Sequence, residues 1–236
     1  MKYLVSICLY AIGLCTFIIL GILFITCTYL FKPRQYDKLA KCLCRMVLRS
    51  FCIRVETSGL EKVDPAKTYI FMSNHVNIFD VFILYGYIPN FARGVELDSH
   101  FKWPIWGKII TRFGNIPISH KHYQSALGSL NEAEKAIKSR TSIIILPEGH
   151  RTRDGKLLPF MRGPFLMAQK ARADIVTTSL IGAYKVKQRK TWIIRPGTIK
   201  FVIGDIFTYD SFKNLSTHEL KEKVKTSIQT MIDENE

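Results

Sequence analysis

The feature that most constrains the fold of this chain is a long uncharged segment near its N-terminus. Residues 3–31 contain no charged side chain, and an otherwise apolar run is only mildly interrupted at Ser6, Thr16, Thr26 and Thr28. A helix needs roughly 20 apolar residues to cross the hydrocarbon core of a bilayer, and this segment is longer. The segment therefore predicts a helix that lies in a membrane.

Two other interpretations of residues 3–31 are weaker. A core helix of this length in a soluble domain would be unusual. A cleaved secretory signal would carry more positive charge than Lys2 and the α-amine, and would end at a site of small residues. The basic residues that follow the segment are Lys32, Arg34, Lys38, Lys41, Arg45 and Arg49. By the positive-inside rule they place the rest of the chain on the cytoplasmic side of the membrane.

The rest of the chain is strongly basic and contains almost no cysteine. The formal net charge is +15, from 34 Lys and Arg against 19 Asp and Glu. All six cysteines lie at or before Cys52, and none belongs to a Cys-x-x-Cys pair. A disulfide framework and a structural zinc site are therefore both disfavoured.

Residues 33–53 predict a second, different helix. At about 100° per residue, one side carries Lys38, Lys41, Arg45 and Arg49, and the other carries Leu39, Leu43, Met46, Val47 and Phe51. A basic amphipathic helix beside a membrane segment favours a position in the headgroup plane, with its cations on anionic lipid. The alternative is a helix that packs its apolar side on the body and leaves its lysines in water. The two helices together could span the bilayer or dip into one leaflet and return.

From Cys52 onward, short β-rich runs alternate with helical patterns. The predicted strands are residues 53–57, 68–72, 93–97, 115–118, 142–146, 175–180 and 198–203. The predicted helices are residues 78–87, 103–113, 123–139, 164–171 and 217–233. This alternation predicts an α/β fold with a mixed, largely parallel sheet flanked by helices. We expect two parts, a pair of membrane-anchoring helices in residues 1–51 and one domain in residues 52–236.

The first candidate site lies between a predicted strand and a predicted helix. The sequence there is Ser73-Asn74-His75-Val76-Asn77-Ile78-Phe79-Asp80. Open α/β sheets place ligand sites at the carboxyl ends of their strands. The Asp80 carboxylate could reach one ring nitrogen of His75 and leave the other free as a general base. The alternative is a helix capping box from Asn77 to Asp80, with His75 as a bystander.

The second candidate site follows the apolar run at residues 143–146. The sequence there is Pro147-Glu148-Gly149-His150-Arg151-Thr152-Arg153-Asp154-Gly155-Lys156. A glycine-containing loop exposes backbone amides, and an arginine fork binds phosphate through two hydrogen bonds. The loop is therefore a candidate phosphate site, although a solvated surface loop has the same composition.

The two sites together resemble those of the glycerolipid acyltransferase family. The resemblance rests on the Asn-His-x4-Asp signature at residues 74–80 and the Pro-Glu-Gly-x-Arg-x-Arg-Asp-Gly-Lys loop at residues 147–156. Between them stand Glu96-Leu97, Pro104 and Gly107, and the similarity extends from about residue 53 to about residue 183. One His-x4-Asp signature is weak, but the ordered set is specific. The resemblance implies that residues 52–236 are an acyltransferase catalytic domain behind an N-terminal membrane anchor.

The resemblance also implies roles for particular residues. His75 would deprotonate an acceptor hydroxyl, and Asp80 would orient His75. Glu148, Gly149 and Arg151 would help to hold the glycerol phosphate of the acceptor. The donor would be acyl-CoA or acyl-carrier protein, with no cofactor and no metal. The acceptor would be a lysophospholipid in a phospholipid membrane, in the first instance 1-acyl-sn-glycerol 3-phosphate, giving phosphatidic acid.

Several positions depart from the pattern of the family. Asn77 stands where the family usually has Ser, and His150 where it has Thr. His120 replaces a phosphate-contacting arginine, so that the adjacent Lys121 becomes the candidate substrate-binding cation. Thr177 stands where proline is usual. These changes leave the reaction type intact and leave the headgroup of the acceptor open.

Other functions compete with this interpretation. One alternative is acyl transfer to another lysolipid or to an aminolipid. Another is a non-catalytic, membrane-tethered protein that binds anionic lipid, because a phosphate-holding loop and a basic helix would serve binding equally well. A nucleophilic acyl-enzyme route is disfavoured, since the chain has no Gly-x-Ser-x-Gly elbow and no cysteine after Cys52. Nucleic-acid binding is disfavoured because no element interleaves cations with aromatic residues.

Overall fold

A seven-stranded sheet organises the described residues, which are 2–118 and 123–235 of this computed structural model. The strands are β1 (Ile53–Ser58), β2 (Tyr69–Ser73), β3 (Ala92–Leu97), β4 (Ile116–Ile118), β5 (Ser142–Ile145), β6 (Asp174–Ile181) and β7 (Gly197–Phe207). Their order is β1-β7-β6-β2-β5-β3-β4, and every neighbouring pair is parallel except β6 with β7. The predicted mixed, largely parallel sheet is therefore confirmed.

Helices cover both faces of the sheet. They are α1 (Lys2–Leu30), α2 (Asp37–Ser50), α3 (Asp80–Tyr87), α4 (Trp106–Phe113), α5 (Tyr123–Lys138), α6 (Gly163–Ala171), α7 (Ala183–Val186), α8 (Tyr209–Phe212) and α9 (Thr217–Asn235). Strand side chains alternate between faces. Phe71 of β2 accordingly packs in a core with α2 and α3, whereas its neighbour Met72 packs in a core with α6 and α9. The sheet thus separates an α1/α2/α3 side from an α6/α9 side.

Helix α1 lies against the body of the protein along its length. Its buried residues recur at helical spacing and are Ser6, Leu9, Gly13, Gly21 and Phe24. Near its start, Ser6 Oγ accepts a hydrogen bond of 3.1 Å from the backbone amide of Ile194. Near its end, the Arg112 guanidinium lies 3.7 Å from the centroid of the Tyr29 ring. The helix is therefore fixed to the body at both ends.

The opposite side of α1 is a row of exposed apolar side chains. They include Leu4, Ile7, Ile12, Leu14, Ile19, Ile22 and Leu23. Within the described residues, α1 is the one helix that is long and apolar enough to cross a membrane, with a mean hydropathy of 2.6. Large exposed apolar surfaces of this kind are typical of contact with lipid or with another protein.

Helix α2 does not present all four of its predicted cations to the outside. Lys41 is bound to Asp37 at 2.7 Å and donates hydrogen bonds to the carbonyls of Pro89 and Asn90. The Arg45 guanidinium lies 5.8 Å from the centroid of the Tyr87 ring. Lys38 and Arg49 are exposed. Two of the four cations are thus engaged by the body, because the middle of the basic side packs against the end of α3, and two remain free to meet lipid.

Two element boundaries differ from the predictions for local reasons. Helix α3 begins at Asp80 instead of residue 78, because the Asn77 side chain accepts a hydrogen bond from the amide of Phe79 and holds a turn there. Strand β7 continues past residue 203 to Phe207, across Gly204. A Cβ on Gly204 would overlap the thioether of Met231 on α9 and lie 2.8 Å from Thr177 Oγ1 on β6, so the glycine permits close packing on both and does not end the strand.

Candidate active site

The turn between β2 and α3 is anchored to the neighbouring strand β6. Asn74 Oδ1 accepts a hydrogen bond of 2.7 Å from the amide of Leu180, and its Nδ2 donates to the carbonyl of the same residue. Asn77 Nδ2 donates to the carbonyl of Ala183 at 2.7 Å. Both asparagines are buried. They fix the turn that carries His75, a function that sequence reasoning missed even though Asn74 belongs to the recognised signature.

The Asp80 carboxylate reaches back to the turn and holds His75. Asp80 Oδ2 lies 2.8 Å from His75 Nδ1 and also accepts hydrogen bonds from the amides of Val76 at 2.6 Å and Asn77 at 2.9 Å. Asp80 is fully buried, and the His75 side chain is 19% exposed. A neutral His75 that donates from Nδ1 to this carboxylate has an unprotonated Nε2, which can accept a proton. This arrangement suits a general base.

Glu148 lies in the loop that follows β5, where it contacts the backbone of His75. Its Oε1 accepts a hydrogen bond of 2.6 Å from the amide of His75, and its Oε2 accepts one of 2.8 Å from the amide of Leu158. Burial raises the pKa of Glu148 to about 7, the charge of Asp80 acts in the same direction, and the two amide hydrogen bonds oppose it. Both carboxylate oxygens thus bind backbone and hold two loops together.

The loop after Glu148 supports His75 from its other side. The amide of Thr152 donates to the carbonyl of His75 at 2.9 Å. Gly149 adopts a φ of 69° in a turn closed by its amide on the carbonyl of Leu146, a conformation that glycine adopts without strain. The two motifs recognised separately in the sequence therefore form one site at the carboxyl edge of the sheet.

Arg151 brings positive charge to this edge. Its side chain is partly exposed, and none of the ion pairs among the described residues involves it. Arg189 Nη1 donates to the backbone carbonyl of Arg151 at 2.9 Å. Burial lowers the pKa of Lys187, and the nearby charge of Arg151 lowers it further. Cations held together without a carboxylate between them favour a bound anion.

Two predicted features cannot be placed in this site. Lys121, the candidate substrate-binding cation, and the neighbouring His120 lie outside the described residues. Over residues 2–118 and 123–235, no three His, Cys, Asp or Glu side chains come together in a way that could hold a metal ion.

An apolar cavity lies beside the site, between α1, α2, α3 and α4. It opens to solvent, and its lining is almost entirely apolar. It extends along α3 from Val81, which directly follows Asp80, to Tyr85. Phe24, Ala40 and Phe113 line it and pack together near Tyr85. The cavity thus begins next to Asp80, near the turn that carries His75, and ends between α1, α2 and α4.

Fold and site together define an α/β protein with a histidine–carboxylate pair at the carboxyl edge of its sheet. A sequence model of the acyltransferase family matches residues 54–181, which include His75, Asp80, Glu148 and Arg151. The chain belongs to the acyltransferase family, as the resemblance implied.

Curated relatives are consistent with this assignment. The chain is 30% identical over 160 residues to a 1-acyl-sn-glycerol-3-phosphate acyltransferase of Limnanthes douglasii, covering 66% of this chain and 56% of that protein. It is 24% identical over 170 residues to one of Helicobacter pylori, covering 71% of this chain and 72% of that protein. The chain spans little more than half the length of the Limnanthes relative.

A solved structure shares the fold. The crystal structure of the 1-acyl-sn-glycerophosphate acyltransferase of Thermotoga maritima superposes with a TM-score of 0.85. The alignment covers 100% of this chain and 97% of that one, at 19% identity. The helices α1 and α2 are thus part of a shared architecture.

Proposed function

We propose that this protein transfers a fatty acyl group from an acyl thioester to the free hydroxyl of a lysophospholipid. The observation that carries the proposal is the pairing of His75 with the buried Asp80, which leaves Nε2 available. The names of the relatives support 1-acyl-sn-glycerol 3-phosphate as acceptor and phosphatidic acid as product. The donor is acyl-CoA or acyl-carrier protein.

The reaction is a single displacement. His75 Nε2 takes the proton of the acceptor hydroxyl, and the hydroxyl oxygen attacks the thioester carbonyl carbon. The tetrahedral oxyanion then collapses, the carbon–sulfur bond breaks, and the departing thiolate takes the proton from His75. Asp80 keeps the proton on Nδ1 throughout and stabilises the imidazolium that forms between the two transfers. The ester and the free thiol are the products.

The surroundings of His75 support binding of both substrates. Arg151, which lies in the loop that holds the His75 backbone, is the candidate contact for the acceptor phosphate. The apolar cavity beside α3 fits the acyl chain of the donor. The acyl chain of the donor comes from the aqueous phase and must be shielded from water in the protein, whereas the acyl chain of the acceptor can remain in the lipid. The exposed side of α1 supports attachment of the protein to a membrane, with the catalytic domain on its cytoplasmic side.

Thioester-dependent acyl transfer by His75→Ala tests the proposal. We expect the variant to lose at least about 10²-fold in kcat, as is usual when a general base is removed. The assay uses the full chain in phospholipid vesicles and a panel of lysophospholipid and aminolipid acceptors. His218→Ala, which removes an exposed histidine of α9, is the matched control and should retain activity. Undiminished transfer by His75→Ala would refute the general-base assignment. Binding of anionic lipid without any transfer by the wild type would favour the non-catalytic alternative.

A further inference from the structure

The segment that connects β6 to β7 carries a dense positive charge. Residues 182–196 contain Lys185, Lys187, Arg189, Lys190 and Arg195 and no acidic residue. Four of these cations are exposed, and Lys187 is buried. We call residues 182–196 the basic hairpin. A surface with one sign of charge favours a partner of the opposite sign.

The basic hairpin is held in shape from the inside. An antiparallel bridge joins Lys187 to Ile194, and the amide of Arg195 donates to the carbonyl of Val186 at 2.9 Å. Lys187 Nζ donates to the carbonyls of Gln188 and Thr191 within the turn. The buried lysine is thus used to close the hairpin, and the other cations remain available to a partner.

The tip of the basic hairpin packs against the first turns of α1. Ser6 Oγ bonds both the amide and the carbonyl of Ile194 and is fully buried. The ring of Trp192 lies 5.5 Å from that of Tyr3, centroid to centroid, and the two residues are 47% and 51% exposed. Trp192 is therefore an extension of the exposed apolar side of α1.

We propose that the basic hairpin is a second membrane-contacting element, which binds anionic phospholipid headgroups. Tryptophan and tyrosine are enriched at the level of the headgroups, and nearby Lys and Arg are attracted to anionic lipid. Both kinds of residue meet here at the end of an exposed apolar helix. A bilayer fits the surface better than an acidic carrier protein, because a soluble partner would also have to cover the apolar side of α1. The inference rests on the proposed membrane attachment of α1 and is independent of acyl transfer.

The hairpin also connects this surface to the active site. Arg189 donates to the carbonyl of Arg151, and Tyr184 Oη donates to the carbonyl of Arg153 at 3.0 Å. A hairpin that rests on headgroups would therefore hold the Arg151 loop at the depth where a lysophospholipid phosphate lies.

Fluorescence of Trp192 in vesicles tests the proposal. Trp103→Phe and Trp106→Phe in the full chain leave Trp192 as the sole tryptophan. Vesicles containing phosphatidylglycerol carry bromine atoms either near the headgroup or near the methyl end of the acyl chains. We expect shallow bromines to quench Trp192 at least about twofold more than deep ones, as the interfacial position requires. The control adds Thr226→Trp to a chain without the three natural tryptophans, and this exposed position on α9 should not be quenched.

Each outcome of the experiment decides the proposal. If Trp192 is quenched no more strongly than the tryptophan of the Thr226→Trp control, the proposal is overturned. It is also overturned if the fluorescence of Trp192 changes on addition of acyl-carrier protein but not on addition of vesicles. Lys190→Glu with Arg195→Glu should reduce quenching in anionic vesicles, whereas Lys221→Glu with Lys223→Glu on α9 should not. Vesicle flotation separates the two levels of failure. A chain that does not float refutes membrane attachment itself, and a chain that floats with Trp192 unquenched refutes only the hairpin contact.

Discussion

At the scale of single residues, one oxygen atom holds both the backbone of the turn that carries His75 and the imidazole ring of His75 itself. Asp80 Oδ2 accepts from two backbone amides of the turn and from His75 Nδ1, whereas Oδ1 has no partner in the described residues. From the sequence, turn capping and orientation of His75 were alternative roles for Asp80. In the structure the same carboxylate makes both contacts.

Glu148 should give the protein a characteristic dependence of stability on pH. Its pKa is raised from 4.5 to about 7 in the folded chain. Between pH 4.5 and about pH 7, Glu148 therefore keeps its proton in the folded state and has released it in the unfolded state. The free energy of unfolding should therefore fall as pH rises through this window, by up to about 3 kcal/mol at about 1.4 kcal/mol per pH unit, and level off above it. Glu148→Gln should remove this fall.

Chemical denaturation across that pH window measures the effect. Glu134→Gln is the control, because Glu134 is a solvent-accessible carboxylate on α5 whose pKa is lowered by Lys138, and its removal should leave the fall in place. If the free energy of unfolding depends on pH in the same way in the wild type and in Glu148→Gln, the prediction is contradicted.

Arg151→Ala should weaken binding of the acceptor more than binding of the donor. Loss of a charge-assisted hydrogen bond to phosphate costs about 1.5–3 kcal/mol, which corresponds to a rise of about tenfold or more in the acceptor KM. Steady-state kinetics with each substrate varied in turn provides the measurement. Arg54→Ala, which removes an exposed arginine of β1, should change neither constant. An equal rise in both KM values would rule out Arg151 as a headgroup contact.

At the scale of elements, patterns along the chain predicted which segments are strands or helices, but not which tertiary contacts their polar side chains make. All seven predicted strands are present, because runs of β-branched residues specify strands locally. Helical spacing also placed the α2 cations on one side. Two hydrogen bonds join residues that are far apart in the chain. Lys41 donates to the carbonyl of Pro89, and Glu148 accepts from the amide of His75. Such contacts follow from tertiary packing, which no local pattern contains.

The cavity along α3 should limit the length of the acyl chain that the donor carries. Ala40 lines the cavity near Tyr85, away from Asp80. Ala40→Phe should fill that end and lower kcat/KM for long-chain donors by about tenfold for every two methylene groups excluded, at about 0.8 kcal/mol each. Transfer of shorter chains in the same variant is the internal control. A uniform loss over all chain lengths would show general damage instead.

At the scale of the whole molecule, α1 is connected to the turn that carries His75 and Asp80 through a row of aromatic rings. Gly13 packs against Phe51, which lies 6.2 Å from the ring of Tyr10 and 4.9 Å from that of Phe79, next to Asp80. A Cβ on Gly13 would overlap the Phe51 ring. Gly13→Ala should therefore displace the ring, destabilise the protein by about 1–3 kcal/mol and lower kcat.

Gly128→Ala is the matched control for this prediction. Gly128 lies in α5, and a Cβ there would meet no described atom within 4 Å. The same substitution should there stabilise the chain by about 0.5–1 kcal/mol, because alanine favours helix over glycine. Thermal unfolding of both variants in detergent micelles measures the difference. Equal effects at the two positions would contradict a tight contact between α1 and Phe51.

The attachment of α1 at both ends has a kinetic consequence. Under the proposed membrane attachment, a helix of about 43 Å, at 1.5 Å per residue, that is fixed along the body would hold the protein flat against the lipid and not upright through it. The proposed lysophospholipid substrate and its product would then reach and leave the site by lateral diffusion in two dimensions. Rates should follow the mole fraction of the acceptor within the bilayer, so adding inert phospholipid at constant total acceptor should slow the enzyme by surface dilution.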